Sequence, residues 1–168
     1  MRRRLTSHRA SKDSVVARFE KSANLKSKRG TMKGEFDEIT GVIYDHLRAV
    51  MFSDPKSEKE VQDKIETIFR VRGLDYRREQ QGIPYSSKHY VPDFTFDALR
   101  IAVEVKLCNR TGREKEIIDE INADIIGYQG SYDRTLFVIY DLGFIRDVAR
   151  LKSTIERQVG VRVMIIKK

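Results

Sequence analysis

The stretch YVPDFTFDALRIAVEVKLC, residues 90–108, is the key to the architecture: it holds two strand-like runs with acids and a lysine where a core wants apolar groups. In the first, Phe94 and Phe96 alternate with Asp93, Thr95 and Asp97. In the second, after a reversal near Ala98 and Leu99, Ile101, Val103, Val105 and Leu107 alternate with Ala102, Glu104 and Lys106. Period-two alternation sends Glu104 and Lys106 to one face. Pairing of the runs as a hairpin sets Asp93 beside that face, so two carboxylates and an ammonium meet at one end of a half-buried sheet. Acids brought together repel unless a cation lies between them. Two oxygen ligands with room for water and phosphate suit Mg²⁺, with Mn²⁺ as a substitute, better than Zn²⁺, which favours nitrogen and sulfur. Lys106 is then placed to orient a water or help deprotonate it. The plainer alternative is an ion pair between Glu104 and Lys106 on a solvated sheet face.

Upstream, a polar loop through Tyr85–His89 follows a short edge strand at Tyr76–Glu79. Before that, Ser57 N-caps a helix running to about Arg72, where Gly73 ends it. Val61, Ile65, Ile68 and Phe69 form its buried stripe, and helical spacing puts Glu58 on the same stripe while Glu60 and Lys64 turn outward. An acid there needs a partner or a cation, unless it is simply a wet glutamate favoured by the helix dipole. An earlier helix, from Glu35 to about Met51, repeats Phe36, Ile39, Val42 or Ile43, Leu47 and Val50 and is expected to pack on the body. Its flanking His46 has no second His at ligand spacing and reads as a half-exposed helix position.

Downstream, a basic turn with Arg110 and Arg113, candidate nucleic-acid contacts, leads into a helix over about 114–128. Ile117, Ile118, Ile121 and Ile125 are its apolar stripe, with Asp124 and Tyr128 at the edge. The apolar run Thr135–Tyr140 reads as a strand covered on both faces. A helix from about Phe144 to Gln158, burying Phe144, Val148, Leu151 and Ile155, precedes a last strand at Val161–Ile166. Strands joined through helices late in the chain imply an α/β fold with a mixed sheet flanked by helices.

The chain of 168 residues suits one domain plus a tail. Its net charge of +8 is uneven: residues 1–30 carry ten Lys/Arg, Arg2, Arg3 and Arg4 among them, against Asp13 and Glu20, and the remainder is neutral. A basic segment on a neutral body suits an electrostatic arm for a polyanion such as DNA, or else a solubilising tail. Three parts are expected: the arm at 1–30, an N-terminal helix packing on the core at 31–56, and the main domain at 57–168. No apolar run approaches a membrane span, so no membrane association is expected and the cytoplasm is the default location. The lone Cys108 forms no internal disulfide and reads as a small apolar filler.

Pro92-Asp93, ten intervening residues and Glu104-Val105-Lys106 resemble the active-site signature of the PD-(D/E)XK nucleases. Asp54-Pro55-Lys56 also fits (D/E)-x-K but lies in a polar connection with no apolar strand around it. The element order resembles that superfamily's αβββαβ core with an added C-terminal helix and strand. More narrowly, Ser57–Asp63, Asp93-Phe94, Ile101–Lys106, Lys115–Ile117, Asp124-Ile125 with Tyr128, and Thr135–Asp141 look like the catalytic domain of DpnII/MboI-type restriction endonucleases, over about residues 57–166.

The resemblance implies a restriction-endonuclease-like fold and metal-dependent hydrolysis of DNA phosphodiester bonds in restriction or defence, leaving 5′-phosphate and 3′-hydroxyl ends. Asp93 and Glu104 would be metal ligands, Lys106 the water-orienting cation and Glu58 the helix acid completing the site. Asp124 and Tyr128 are accessory candidates with unassigned roles. The resemblance includes no separate target-reading domain, so a partner subunit would supply recognition, and double-strand cutting by a single-site enzyme implies a homodimer on symmetry grounds. Two other readings stay open: a structure-specific, junction-resolving endonuclease, and an inactive module that only binds nucleic acid or protein.

Overall fold

The computed structural model describes residues 34–79, 83–85 and 88–168. Two units divide the chain, Met1–Asp37 and Glu38–Lys168. Of the first only residues 34–37 are described, as the opening of a helix, α1, that continues through residue 50. The basic segment with Arg2, Arg3 and Arg4 lies outside the described residues. In the second unit, Ile39, Ile43 and Leu47 of α1 are buried at four-residue intervals.

Helix α2 (Glu58–Val71) starts at Ser57, whose hydroxyl accepts from the Glu60 N–H, while the Glu60 carboxylate reaches back to the Lys56 N–H. This near-reciprocal cap satisfies one N–H that the helix start leaves orphaned and ties down the chain just ahead of it. Val61, Ile65, Ile68 and Phe69 are buried as the spacing predicts, and the Phe69 ring meets Phe94 and Phe96 edge-on at 5.4 and 5.3 Å.

The strands follow in order: β1 (Arg77–Arg78), β2 (Ile83–Tyr85), β3 (Lys88–Tyr90), β4 (Phe94–Phe96) and β5 (Ile101–Cys108). Then come α3 (Arg113–Tyr128), β6 (Arg134–Asp141), α4 (Val148–Ile155) and β7 (Val161–Lys167). One mixed sheet has the order β1-β4-β5-β6-β7, antiparallel from β1 to β5 and parallel from β5 to β7. This is the expected helix-flanked α/β sheet with its added C-terminal helix and strand.

Two elements differ from expectation. Where a plain loop was expected around Tyr85–His89, β2 and β3 pair as a separate antiparallel hairpin. Its last residue, Tyr90, packs on α3 at Gly127, where a Cβ would overlap the tyrosine ring, and lies edge-on to Tyr128 at 6.4 Å. Helix α4 begins at Val148, not Phe144. The Asp141 Oδ1 accepts from the N–H groups of Gly143, Phe144 and Ile145, which holds them in a turn, and Asp147 caps the helix through the Arg150 N–H. Ile145 fills the buried place expected for Phe144, which is exposed.

The sheet also forks. On β5, strand β4 reaches only Ile101–Val103, so among the described residues the second half of β5 has no strand neighbour on that side. A buried backbone N–H without a partner is costly. Here the Val105 N–H donates to Asp93 Oδ2 at 2.7 Å and the Leu107 N–H to Glu58 Oε1 at 3.0 Å. Two carboxylates stand where a strand would otherwise be.

Candidate active site

The fork brings together residues from four elements. Asp93, at the entrance to β4, is held at every polar atom. Its Oδ2 takes the Val105 N–H, its Oδ1 takes the Gln62 side-chain amide at 2.8 Å, its carbonyl takes the Glu79 N–H at 3.1 Å, and its N–H faces Glu104 Oε2 at 3.4 Å. Glu104 and Lys106 project from β5 toward α3. Lys106 Nζ lies 3.0 Å from Glu104 Oε1 and 3.2 Å from Asp124 Oδ2, and the Tyr128 hydroxyl donates to Glu104 Oε2 at 2.7 Å. Asp124 and Tyr128 sit one helical turn apart, so a single face of α3 serves both charged groups of β5.

The Glu104–Lys106 pair is therefore real but not solvated: each residue is 7% exposed. That rules out the solvated-face alternative. Ion pairs at this depth seldom repay their desolvation, so a strand selected for stability alone would carry apolar residues here.

The local electrostatics show the strain. Burial pushes the Asp93 carboxyl above its ordinary range, with the Glu58 charge adding to the effect; the Val105 N–H, Lys106 and the Gln62 amide only partly oppose it. Burial, followed by the charges of Asp93 and Asp124, raises Glu104 as well, against the pull of Lys106 and Tyr128. For Lys106 burial favours the neutral amine, yet Glu104 and Asp124 together outweigh it and hold the ammonium above its usual range. Tyr128 stays a neutral donor, its ionisation suppressed by burial and by the Glu104 charge.

Glu58 lies on the same edge of β5, half-buried, but its Oε1 is shared by the Leu107 N–H and by Arg113 Nη2 at 2.8 Å. Arg113, read from sequence as a nucleic-acid contact, is turned inward: it also pairs with Glu116 and Glu120. Arg110 is exposed and bonded to Glu116 at 2.6 Å. Gln62 and Arg78 escaped the sequence reading. Gln62 is four residues after Glu58, on the stripe that turns inward, and that spacing was the available signal.

Among the described residues no three His, Cys, Asp or Glu side chains already surround a metal-sized gap. The donor chemistry nonetheless fits a hard divalent ion. Asp93 and Glu104 are desolvated carboxylates that repel one another, burial raises the proton affinity of both, and oxygen donors of this kind suit a hard cation. A site with two protein oxygens leaves the remaining positions to water and substrate.

A family model for DpnII-MboI restriction endonucleases, REase_DpnII-MboI, matches residues 54–168. The chain belongs to that family. The match begins just ahead of α2 and takes in every residue of the fork, and the mixed α/β sheet agrees with a restriction-endonuclease-like fold. Neither a search of curated proteins nor one of solved structures found a match. Among the described residues no helix is long and apolar enough to cross a membrane.

Proposed function

We propose that the protein is a metal-dependent DNA endonuclease that hydrolyses phosphodiester bonds in restriction or a related defence. The observation that carries the reading is the meeting of Asp93, Glu104 and Lys106 at the fork of the sheet, in a chain of a restriction endonuclease family. Asp93 and Glu104 would hold a divalent ion, Mg²⁺ with Mn²⁺ as a substitute, which when bound would draw charge from the phosphate and acidify a water. Lys106 has no lone pair with which to take a proton while it remains an ammonium. Its role is donation: with Glu104 and Asp124 anchoring it, a remaining N–H orients the attacking water or meets charge growing on the phosphate. Tyr128 keeps Glu104 aimed into the fork, and Asp124 keeps Lys106 there. Glu58 Oε1 is taken by Arg113 and the Leu107 N–H, so Glu58 would join the ion through its other oxygen.

The substrate is DNA, and cutting both strands calls for two copies or a partner subunit. Residues 1–30 would add salt-sensitive, sequence-indifferent affinity for the backbone, with Arg110 as a further exposed contact. The reading is tested with purified protein, plasmid DNA and Mg²⁺ or Mn²⁺, beside Glu104→Ala and Lys106→Ala. Nicking or linearisation that needs the metal and vanishes in both variants supports it; cleavage that persists in either one rejects the site.

A further inference from the structure

Gln62 is 8% exposed, and both ends of its amide are engaged. The Nε2 donates to Asp93 Oδ1 at 2.8 Å, and the Oε1 accepts from Arg78 Nη2 at 3.1 Å. Arginine only donates and an ionised carboxylate only accepts, so these two neighbours leave the amide a single orientation. Arg78 is fixed in its turn. Its Nη1 meets Glu66 at 2.5 Å and Asp63 at 2.7 Å, and its guanidinium lies over the Phe94 ring at 5.7 Å from the centroid. The chain Glu66/Asp63–Arg78–Gln62–Asp93 thus crosses from the edge strand β1 through α2 to the fork.

We propose that Gln62 and Arg78 form a positioning relay for Asp93: Arg78 sets the amide of Gln62, and Gln62 holds one carboxylate oxygen of Asp93 so that its open side faces the metal site. The inference rests on the metal-site reading above. Asp93 and Glu104 repel one another, Glu58 adds to the repulsion, and the Val105 N–H restrains only Oδ2. Without the amide, Oδ1 loses its side-chain restraint and the carboxylate is free to pivot about the Val105 bond. Supports of this kind hold ligands in register, and their loss typically weakens metal affinity by about tenfold to a hundredfold.

The test is Mn²⁺ binding to the full chain, read from the resonance signal of the free ion, for wild type, Gln62→Met and Arg78→Lys. Binding to plasmid DNA in Ca²⁺ is measured in parallel. Gln62→Met keeps the volume and removes both hydrogen bonds; Arg78→Lys keeps the charge facing Glu66 and Asp63 but lacks the planar fork. The relay predicts Mn²⁺ affinity about ten to a hundred times weaker in Gln62→Met and a smaller loss in Arg78→Lys, with DNA affinity within about twofold of wild type. Melting of the metal-free proteins separates positioning from folding, and if Gln62→Met is unfolded at the assay temperature, Arg78→Lys alone decides. Wild-type Mn²⁺ affinity in a folded variant overturns the relay while leaving the metal site intact. Absence of Mn²⁺ binding by the wild type overturns the metal site and the relay with it.

Discussion

Strands β5 and β6 are parallel neighbours of eight residues each, and all of β5 and all but the first residue of β6 are buried. In register, Glu104 lies beside Phe137 and Lys106 beside Ile139. The same backbone, the same depth and the same facing helix carry an apolar pair on one strand and a charged pair on the next. Where β6 contributes core, β5 gives up stability, and the difference in side chains is matched by a difference in surroundings. Beside Glu104 and Lys106 the sheet forks, and α3 offers Asp124 and Tyr128 instead of isoleucines. A buried charge that its neighbours have been built to receive points to chemistry.

The comparison breaks most visibly at Lys106. Replacing it with methionine makes β5 resemble β6 but leaves Glu104 and Asp124 without their cation. Plasmid cleavage should fall by about 10²–10³-fold. Denaturant melts at neutral pH should show about 3–5 kcal/mol lost, as expected when one partner of a buried pair is removed. The mirror experiment is Phe137→Ala on β6. It should cost about 3–5 kcal/mol in the same melts, while cleavage per folded molecule stays within a few-fold of wild type. A large catalytic defect there would erase the contrast between the strands.

A pH series sharpens the point. Asp93 and Glu104 bind protons more tightly folded than unfolded, so their contribution is fully present below the ordinary carboxylate range of about 4 and is lost as pH rises through their raised values. Above the ordinary carboxylate range, where the lowered acids Asp63 and Glu66 are already ionised, the metal-free protein should therefore melt at progressively lower temperature as pH climbs toward neutrality and beyond. Glu104→Gln or saturating Mg²⁺ should flatten the slope; an equally steep slope in both would assign it to other groups. The smallest effect is expected for Tyr128→Phe, which removes one hydrogen bond to Glu104 and leaves the ring. Roughly 1–3 kcal/mol of stability should go, with cleavage reduced less than in any Lys106 variant.

What the sequence made legible follows from the range of each interaction. Glu104 and Lys106 share a face by local alternation, and Asp93 joins them through one short reversal, so three residues of the site are readable within fourteen positions of chain. Asp124 and Tyr128 likewise announce themselves at one helical turn. Gln62 and Arg78 do not, since a glutamine on a helix stripe and an arginine in a basic run acquire meaning only from Asp93, 31 positions beyond Gln62. Arg113 reads as a surface cation until Glu58, 55 residues away, is seen beside it. The start of α4, at Val148 and not Phe144, has a local cause of another kind. Apolar spacing continues back to Phe144, but Asp141 captures the backbone N–H groups that a helix there would need.

The most direct test of the central claim, that β5 carries buried charge in order to work with a divalent ion on DNA, is plasmid cleavage by the purified chain in EDTA and in Mg²⁺, with Glu104→Gln run beside it. The account predicts cleavage by the wild type in Mg²⁺ alone and none by the variant in either condition. Cleavage in EDTA, or by Glu104→Gln at the wild-type rate, would contradict it.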